Sequence, residues 1–468
     1  MNNVFSKFSY SFLANIFSAL TSVVLILILP KYMSMEDYGI WQLFMFYFSY
    51  VGFFHFGWLD GIYLRYGGAY YNELNKETFG GQFFLLAVML VSECILINLI
   101  LASGIVKDAN LIFVIKVASI AGVFVNLFTL VNFIYQLSNK IKEYARNIIL
   151  ERIITIALIL FCIIFQKTRY DEIIYIKLAS SLILMCYSIY SIRDLVLKEK
   201  DKLSNSIIEA SNNISVGSKL MLANIAGMLI LGIIRFGISQ EWDIVTFGKV
   251  SLTLNISNFL MVFISAVSIV LFPILKRINQ DRLAEIYVLL RNILSYSLLA
   301  MLITYYPLKI ILLYWLPKYS DSLVYMGLLL PICVFESKLQ MLVNTYLKSL
   351  RQEALMLKIN FVSVVFALLM TYVTVVFFHN LKLAILSIVI NFAFRLLLAE
   401  YFIEKLLSLK LRKDSIEELI VVSSFIFINV HESTYGILIY LAVYLIYALI
   451  NKKQIKETVK KIRCELAK

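Results

Sequence analysis

The sequence predicts an all-α polytopic membrane protein, and three observations predict it. Of 468 residues, 61% are hydrophobic and 16% charged. Mean hydropathy is +0.84, so the chain carries more apolar surface than a soluble core of this length could hide. Apolar runs recur from end to end, each near the ~20 residues a helix needs to cross ~30 Å of hydrocarbon. These runs do not alternate polar with apolar residues, which excludes a transmembrane barrel.

Taken in order, about fourteen spans are expected. The first, 10–33, follows Lys7 but lacks a small-residue cleavage site, so it reads as a retained helix rather than a signal peptide. The second, 38–59, is aromatic throughout and runs on into an acid, a base and a knot of glycines between Gly57 and Gly68. The next four are 83–105, 111–135, 148–165 and 173–192. After a long polar connector, 194–215, come 217–238, 247–271, 293–316, 323–346, 357–378 and 383–403. Two more, 419–430 and 435–450, close the series. Pro331 is expected to kink the tenth span, because proline removes a helical hydrogen bond.

Charge tests this order independently. With the amino terminus inside, inner connectors collect Lys140, Lys142 and Arg146, then Arg193 and Lys202, Lys348 and Arg351, Lys405 and Lys410. Outer connectors hold only Lys31, Lys107, Lys167, Arg169, Lys318 and Lys382. That bias puts both termini in the cytoplasm. The formal charge of +13 is scattered through connectors and tail rather than blocked, which argues against nucleic-acid binding.

Internal similarity divides the chain. Leu13-Ala14-Asn15-Ile16 returns as Leu222-Ala223-Asn224-Ile225, and Tyr38-Gly39 as Phe247-Gly248, both roughly 210 residues further on. Tyr135, Ser138 and Lys140 are echoed more loosely by Tyr346, Ser349 and Arg351. The expected organisation is a six-helix lobe over 1–200, a second over 201–406, two further helices over 407–451 and a basic cytoplasmic tail over 452–468. An even number of helices per repeat relates the lobes by a pseudo-two-fold axis along the membrane normal. Two such lobes meet the mechanical requirement for alternating access.

Charged groups inside spans mark where chemistry is to be sought, since each costs on the order of 3 kcal/mol on insertion scales unless turned to a partner or to water. They are Asp60, Arg65, Glu93, Lys116, Lys177, Arg235, Lys249, Glu336, Lys338, Arg395 and Glu400. Arg65, Arg235, Lys249 and Lys338 are the candidate substrate contacts, since Lys and Arg meet phosphate oxygens with strong charge-assisted bonds. Asp60 and Glu336 are the candidate ion-coupling acids. Glu336 and Lys338 stand about 200° apart on a helix, so they face different ways. Glu93 is expected to be a buried neutral carboxyl with one hydrogen bond. The five cysteines are scattered without a Cys-x-x-Cys pair, and the three histidines are isolated, so neither a disulfide framework nor a metal site is expected. No catalytic triad and no glycine-rich phosphate loop is present, so neither catalysis nor a cofactor is expected and any chemistry must be translocation.

The motifs resemble a family. Pro30-Lys31-Tyr32, Glu36-Asp37-Tyr38-Gly39-Ile40-Trp41 and Gly57-Trp58-Leu59-Asp60-Gly61 through Arg65-Tyr66-Gly67-Gly68 resemble the opening of Wzx-type O-antigen and capsule flippases. Those are polysaccharide transporters of the multidrug/oligosaccharidyl-lipid/polysaccharide exporter superfamily. The likeness continues through Tyr135-Gln136-Leu137, Ser218-Lys219-Leu220, Phe247-Gly248-Lys249, Trp315-Leu316-Pro317-Lys318 and Asn344-Thr345-Tyr346. It implies a cationic central cleft and the movement of undecaprenyl-pyrophosphate-linked oligosaccharide across the bacterial inner membrane. Coupling to a proton, sodium or membrane potential is implied as well, with association with polymerase and chain-length proteins as a further expectation. The alternatives are a multidrug or lipid II exporter of the same superfamily, or a membrane polysaccharide polymerase; the short outer connectors argue against the last.

Overall fold

The computed structural model describes residues 16–197, 201–275, 280–431, 433 and 435–466. The start of the first expected span and the Leu13-Ala14-Asn15 motif lie outside these. Among the described residues every regular element is helical. In chain order they begin with α1 (Ile16–Tyr32), α2 (Met35–Phe48), α3 (Trp58–Arg65), α4 (Lys76–Ala102), α5 (Ala109–Leu137), α6 (Ile141–Ile164) and α7 (Tyr170–Ser191). They continue with α8 (Leu203–Glu241), α9 (Ile244–Leu275), α10 (Gln280–Met301), α11 (Tyr305–Trp315), α12 (Leu323–Leu329), α13 (Ile332–Lys338) and α14 (Asn344–Ser349). The last are α15 (Glu353–Thr371), α16 (Leu381–Leu407), α17 (Arg412–Val430), α18 (Gly436–Ile450) and α19 (Lys452–Leu466).

Local sequence sets where these helices start. Ser34, Asn75, Asp108, Asp243 and Asn380 each accept a backbone N–H from the first turn that follows, as residues with a short polar side chain do at an N-cap. The apolar interiors then need only length. Among the described residues eight helices are long and apolar enough to cross a membrane, or up to ten if each of two bent pairs is one span.

Several of the fourteen expected spans take another form. The second stops at Phe48, passes through a 3-10 turn and resumes as α3 after Gly57, whose φ of +85° is open to glycine and strained for other residues. Asp60 therefore lies within a helix rather than beyond one. The thirteenth, α17, begins seven residues before its apolar span and carries Asp414, Glu417 and Glu418 in those added turns. The fourteenth, α18, has only 15 residues and turns by 72° into the basic segment. The tenth breaks at Pro331, with a 42° bend between the helices on either side, and then widens into a π-helical turn over Leu339–Val343.

The stretch 203–215, expected as connector, is the first third of α8. One face of it packs on the first unit: Gln82 donates to the Ser206 backbone carbonyl at 2.9 Å, and Asn213 donates to Gln82 at 3.2 Å, while Asn205, Ser211 and Asn212 stay exposed. By their contacts the residues form two compact units, Met1–Ile225 and Ala226–Lys468, and α8 runs from the first into the second.

In the first unit, Trp58, Leu59 and Ile62 of α3 pack with Leu86 and Leu90 of α4 and with Leu127, Val131 and Ile134 of α5. The Trp58 indole N–H donates to Gln82 at 2.7 Å, which fixes the entry of α3. The glycine knot is a helix crossing. A Cβ at Gly61 would strike the Asn213 backbone, and one at Gly217 would strike the backbone of Gly57 and Gly61. Small residues let α3 and α8 touch backbone to backbone, the usual device where lipid gives no hydrophobic drive for helix association.

In the second unit, Leu299 of α10, Leu302 in the 3-10 turn that follows it, Leu328 and Leu329 of α12, Phe425 of α17 and Tyr440 of α18 are all buried. The Tyr440 hydroxyl donates to the Leu299 carbonyl at 2.7 Å, tying α18 to α10. Phe425 meets the Tyr440 ring edge-on with centroids 5.0 Å apart.

Gly217→Val should lower the thermal midpoint of the detergent-purified protein by the equivalent of about 1–3 kcal/mol or abolish folded expression, as overpacked sites do. Gly52→Ala, where a Cβ meets nothing within 4 Å, should leave the midpoint in place.

Candidate functional site

The charges singled out from sequence separate into distinct environments. In the first unit, Asp60 is buried in α3 with its carboxylate 3.9 Å from His55 Nε2. His55 is held by its other nitrogen, which accepts the Gly57 N–H at 3.0 Å. Arg65, one turn further on, donates to Glu209 at 2.6 Å and to Asn213 at 2.6 Å. The Tyr66 hydroxyl donates to the same carboxylate at 2.6 Å. Arg65 is thus a pinned charge whose guanidinium keeps a 30% exposed side chain.

In the second unit, Arg235 donates to Ser251 Oγ at 3.0 Å and lies 5.4 Å from the Phe247 ring centre. Lys249, on the next helix, sits 3.3 Å from Asp321, whose side chain is 80% exposed. Such a pair is loosely held and can exchange for another anion. Arg235 and Lys249 project from α8 and α9 respectively.

Lys338 has a different setting. It is fully buried, 2.5 Å from Glu418 and 3.4 Å from Glu400. Arg291 completes the cluster: its Nε and Nη2 donate to Glu400 at 2.9 and 3.2 Å, and its Nη1 lies 3.0 Å from Glu418. Asp414 stands 3.8 Å from the same guanidinium. Ser415 donates to Glu400 at 2.7 Å and Ser295 to Glu418 at 2.7 Å, which fills further lone pairs. Two cations and two acids, none more than 5% exposed, therefore neutralise one another across α10, α13, α16 and α17. Such a network is viable only when its members are hydrogen-bonded as completely as here, since each uncompensated ion would meet a penalty of several kcal/mol.

Glu336 faces the other way, as its spacing from Lys338 predicts. Its carboxylate lies 3.2 Å from Arg395 of α16, and Arg395 donates twice to Asn360 Oδ1 of α15, at 3.1 and 2.8 Å. Gln340 donates to Glu336 at 2.7 Å and Asn344 to Gln340 at 3.1 Å. Glu336, Gln340 and Asn344 recur every fourth residue and form one polar stripe along the bent tenth span. Gly227 of α8 stands beside this group, and a Cβ there would lie 3.8 Å from both Arg395 and Asn360. The Glu336 side chain keeps 12% exposure against 4–5% for Glu400 and Glu418. It is the more reachable of these acids.

Some charges escaped sequence reasoning. Arg291 and Glu418 lie two residues and one residue outside the spans that hydropathy defines, so hydropathy does not mark them as intramembrane. The available signal was local: Arg291 and Ser295, and likewise Asp414 and Glu418, are four apart on one helix face. Glu93 departs from its expectation of one hydrogen bond. Among the described residues neither carboxyl oxygen has a partner.

No family model matches this sequence, and no curated protein matches it. Solved structures do match in fold. A lipid II flippase, MurJ, in its inward closed conformation, superposes with a TM-score of 0.66 at 14% identity, covering 96% of this chain and 99% of that one. An inward-facing multidrug resistance transporter of the MATE family of the MOP superfamily gives 0.61 at 12% identity, over 88% of this chain and 95% of that one. An outward-facing MATE structure gives 0.52 at 12% identity, over 86% and 93%. The chain therefore has the all-helical fold shared by these membrane transporters. At such identities the likeness defines the fold alone.

Lys338→Met leaves Glu400 and Glu418 with one cation between them and should destabilise the protein by about 3–5 kcal/mol, read as a loss of thermal midpoint in detergent. Lys249→Met, which breaks a pair with an exposed acid, should shift the midpoint by the equivalent of ~1 kcal/mol or less.

Proposed function

We propose that this protein is a flippase that carries polyprenyl-pyrophosphate-linked oligosaccharide repeat units, of the O-antigen or capsule kind, from the inner to the outer leaflet of the bacterial inner membrane. The observation that carries the reading is full-length likeness to a lipid II flippase fold, joined to the Wzx-type motifs that run from Pro30 to Asn344. Lipid flip-flop is slow because the polar headgroup must cross hydrocarbon, where unpaired polar groups cost several kcal/mol each. A wet, basic path replaces the lost hydration while the lipid tail remains in the membrane.

In this reading Arg235 and Lys249 receive the pyrophosphate. Lys249 is suited to the task because its present partner, Asp321, is solvated and can be displaced by a more highly charged anion. Arg65 stands at the inner mouth, held in orientation by Glu209. Lys338 contributes from behind, as part of the buried network that fixes the tenth helix. Glu336 and Asp60 are the coupling acids. Glu336 exchanges Arg395 for a proton or sodium ion as the bent helix moves, and the difference in binding between inward and outward states biases the cycle.

Lipid II as cargo is the second reading, and it draws on the fold likeness to the lipid II flippase MurJ. The two predict different lipids in one experiment. Deleting the gene should cause lipid-linked repeat units to accumulate with their sugars facing the cytoplasm, and restoring it should clear them. Accumulation of lipid II instead would favour the second reading; completed units reaching the outer leaflet unpolymerised would point to a polymerase. Arg235→Gln combined with Lys249→Gln should abolish clearance while the protein remains folded and membrane-inserted. Retained export in that double variant would remove both residues from the substrate path.

A further inference from the structure

A second polar feature lies within the first unit, away from every residue assigned above. Helices α5, α6 and α7 and the end of α2 line a half-open cavity of about 270 Å³. Each helix contributes from one face at helical spacing: Thr129, Asn132 and Gln136 from α5, Tyr144 and Glu151 from α6, Lys177 and Ser181 from α7.

Lys177 is the unusual member. It is 92% buried, since only 8% of its surface is exposed, and its ammonium carries three donors. Among the described residues its one hydrogen bond runs to Glu151, at 3.4 Å. Phe48 adds a ring face 5.4 Å from the ammonium. A buried ammonium that spends one donor on protein and turns toward a cavity is set to meet an oxygen acceptor brought from outside. Glu151, 17% exposed at the same wall, offers acceptor lone pairs alongside. Glu151 is shared with Arg152, whose guanidinium lies 3.8 Å from the same oxygen, so two cations and one acid leave a single positive charge at this wall, short of what a multiply charged phosphate calls for. Aromatic faces at Phe48, Phe128, Phe133 and Tyr144 supply flat apolar walls next to these polar groups.

We propose that this cavity binds one hydroxylated sugar ring, with Lys177 donating to ring or hydroxyl oxygens, Glu151 and the Asn132 amide completing the hydroxyl contacts, and an aromatic face covering the ring. The volume falls just below the ~300–1,000 Å³ of drug-sized ligand pockets, so it suits a single residue of an oligosaccharide rather than the whole. The inference rests on the proposed handling of a sugar-bearing lipid and names a place where one sugar is read. It would make the first unit a selectivity element, separate from the cations assigned to pyrophosphate.

Binding can be measured without transport. Full-length protein in detergent micelles would be probed by saturation-transfer NMR with the methyl glycosides of glucose, galactose, N-acetylglucosamine, N-acetylgalactosamine and rhamnose. At least one should receive saturation from the wild-type protein. Lys177→Gln should weaken that signal about tenfold or more, as loss of a charge-assisted bond to a desolvated ligand does. Phe48→Leu, a milder change that keeps the apolar wall, should weaken it as well, and the thermal midpoint of each variant checks that it is folded. The Arg235→Gln, Lys249→Gln double variant should bind the glycoside as the wild type does. No transfer to any of the five, or equal transfer in folded Lys177→Gln, would overturn the sugar site. Because the readout is binding, it can fail while the leaflet experiment still supports a flippase, and the reverse holds too.

Discussion

A charge carried into the membrane is costly unless a partner answers it, and the second unit is arranged around that constraint. The second unit shows it at its most complete. Arg291, Lys338, Glu400 and Glu418 come from four helices, and each is close to two opposite charges. The favourable energy of such a cluster exists only in one relative placement of those helices. It therefore acts as a register device: α17 and α10 cannot slide past α13 and α16 without leaving an ion uncompensated. The flanking Ser295 and Ser415 serve the same end by taking the lone pairs that water would otherwise have filled.

Against that rigid cluster stands the tenth span. It breaks at Pro331, carries Lys338 into the network on one side and presents Glu336, Gln340 and Asn344 on the other. One helix thus bears an anchored charge and a reachable one two residues apart. The π turn over Leu339–Val343 follows directly, where an altered hydrogen-bond ladder leaves backbone freedom. A helix fixed at one point and irregular on both sides of it is suited to bending about that point. The first unit solves a different problem: its short α3 is held by the Trp58–Gln82 bond, the Arg65–Glu209 pair and the glycine contact with α8.

Hydropathy and charge were enough to read a multi-pass helical membrane protein, because lipid imposes length and backbone satisfaction on each span independently of its neighbours. The kink at Pro331 and the opposed faces of Glu336 and Lys338 were also legible, since both follow from geometry inside one helix. Most intramembrane charges could be named for the same reason: a charge within an apolar run is visible in one dimension.

What each charge does was decided by tertiary structure. Nothing local to Lys338 distinguishes it from Lys249, yet one is sealed between two carboxylates and the other meets a solvated acid. Partners such as Glu209 for Arg65 or Glu400 for Arg291 lie more than a hundred residues away, beyond any periodicity. The polar stretch 203–215 reads as a connector because Glu209 and Asn213 are polar, and only the helices packed on it show that they are the partners of Arg65 and Gln82. Sequence determines which residues a helix offers to the membrane, since that choice is a property of the helix alone. Pairing distances decide which offered charges become structure and which remain available, and those exist only once the helices have met.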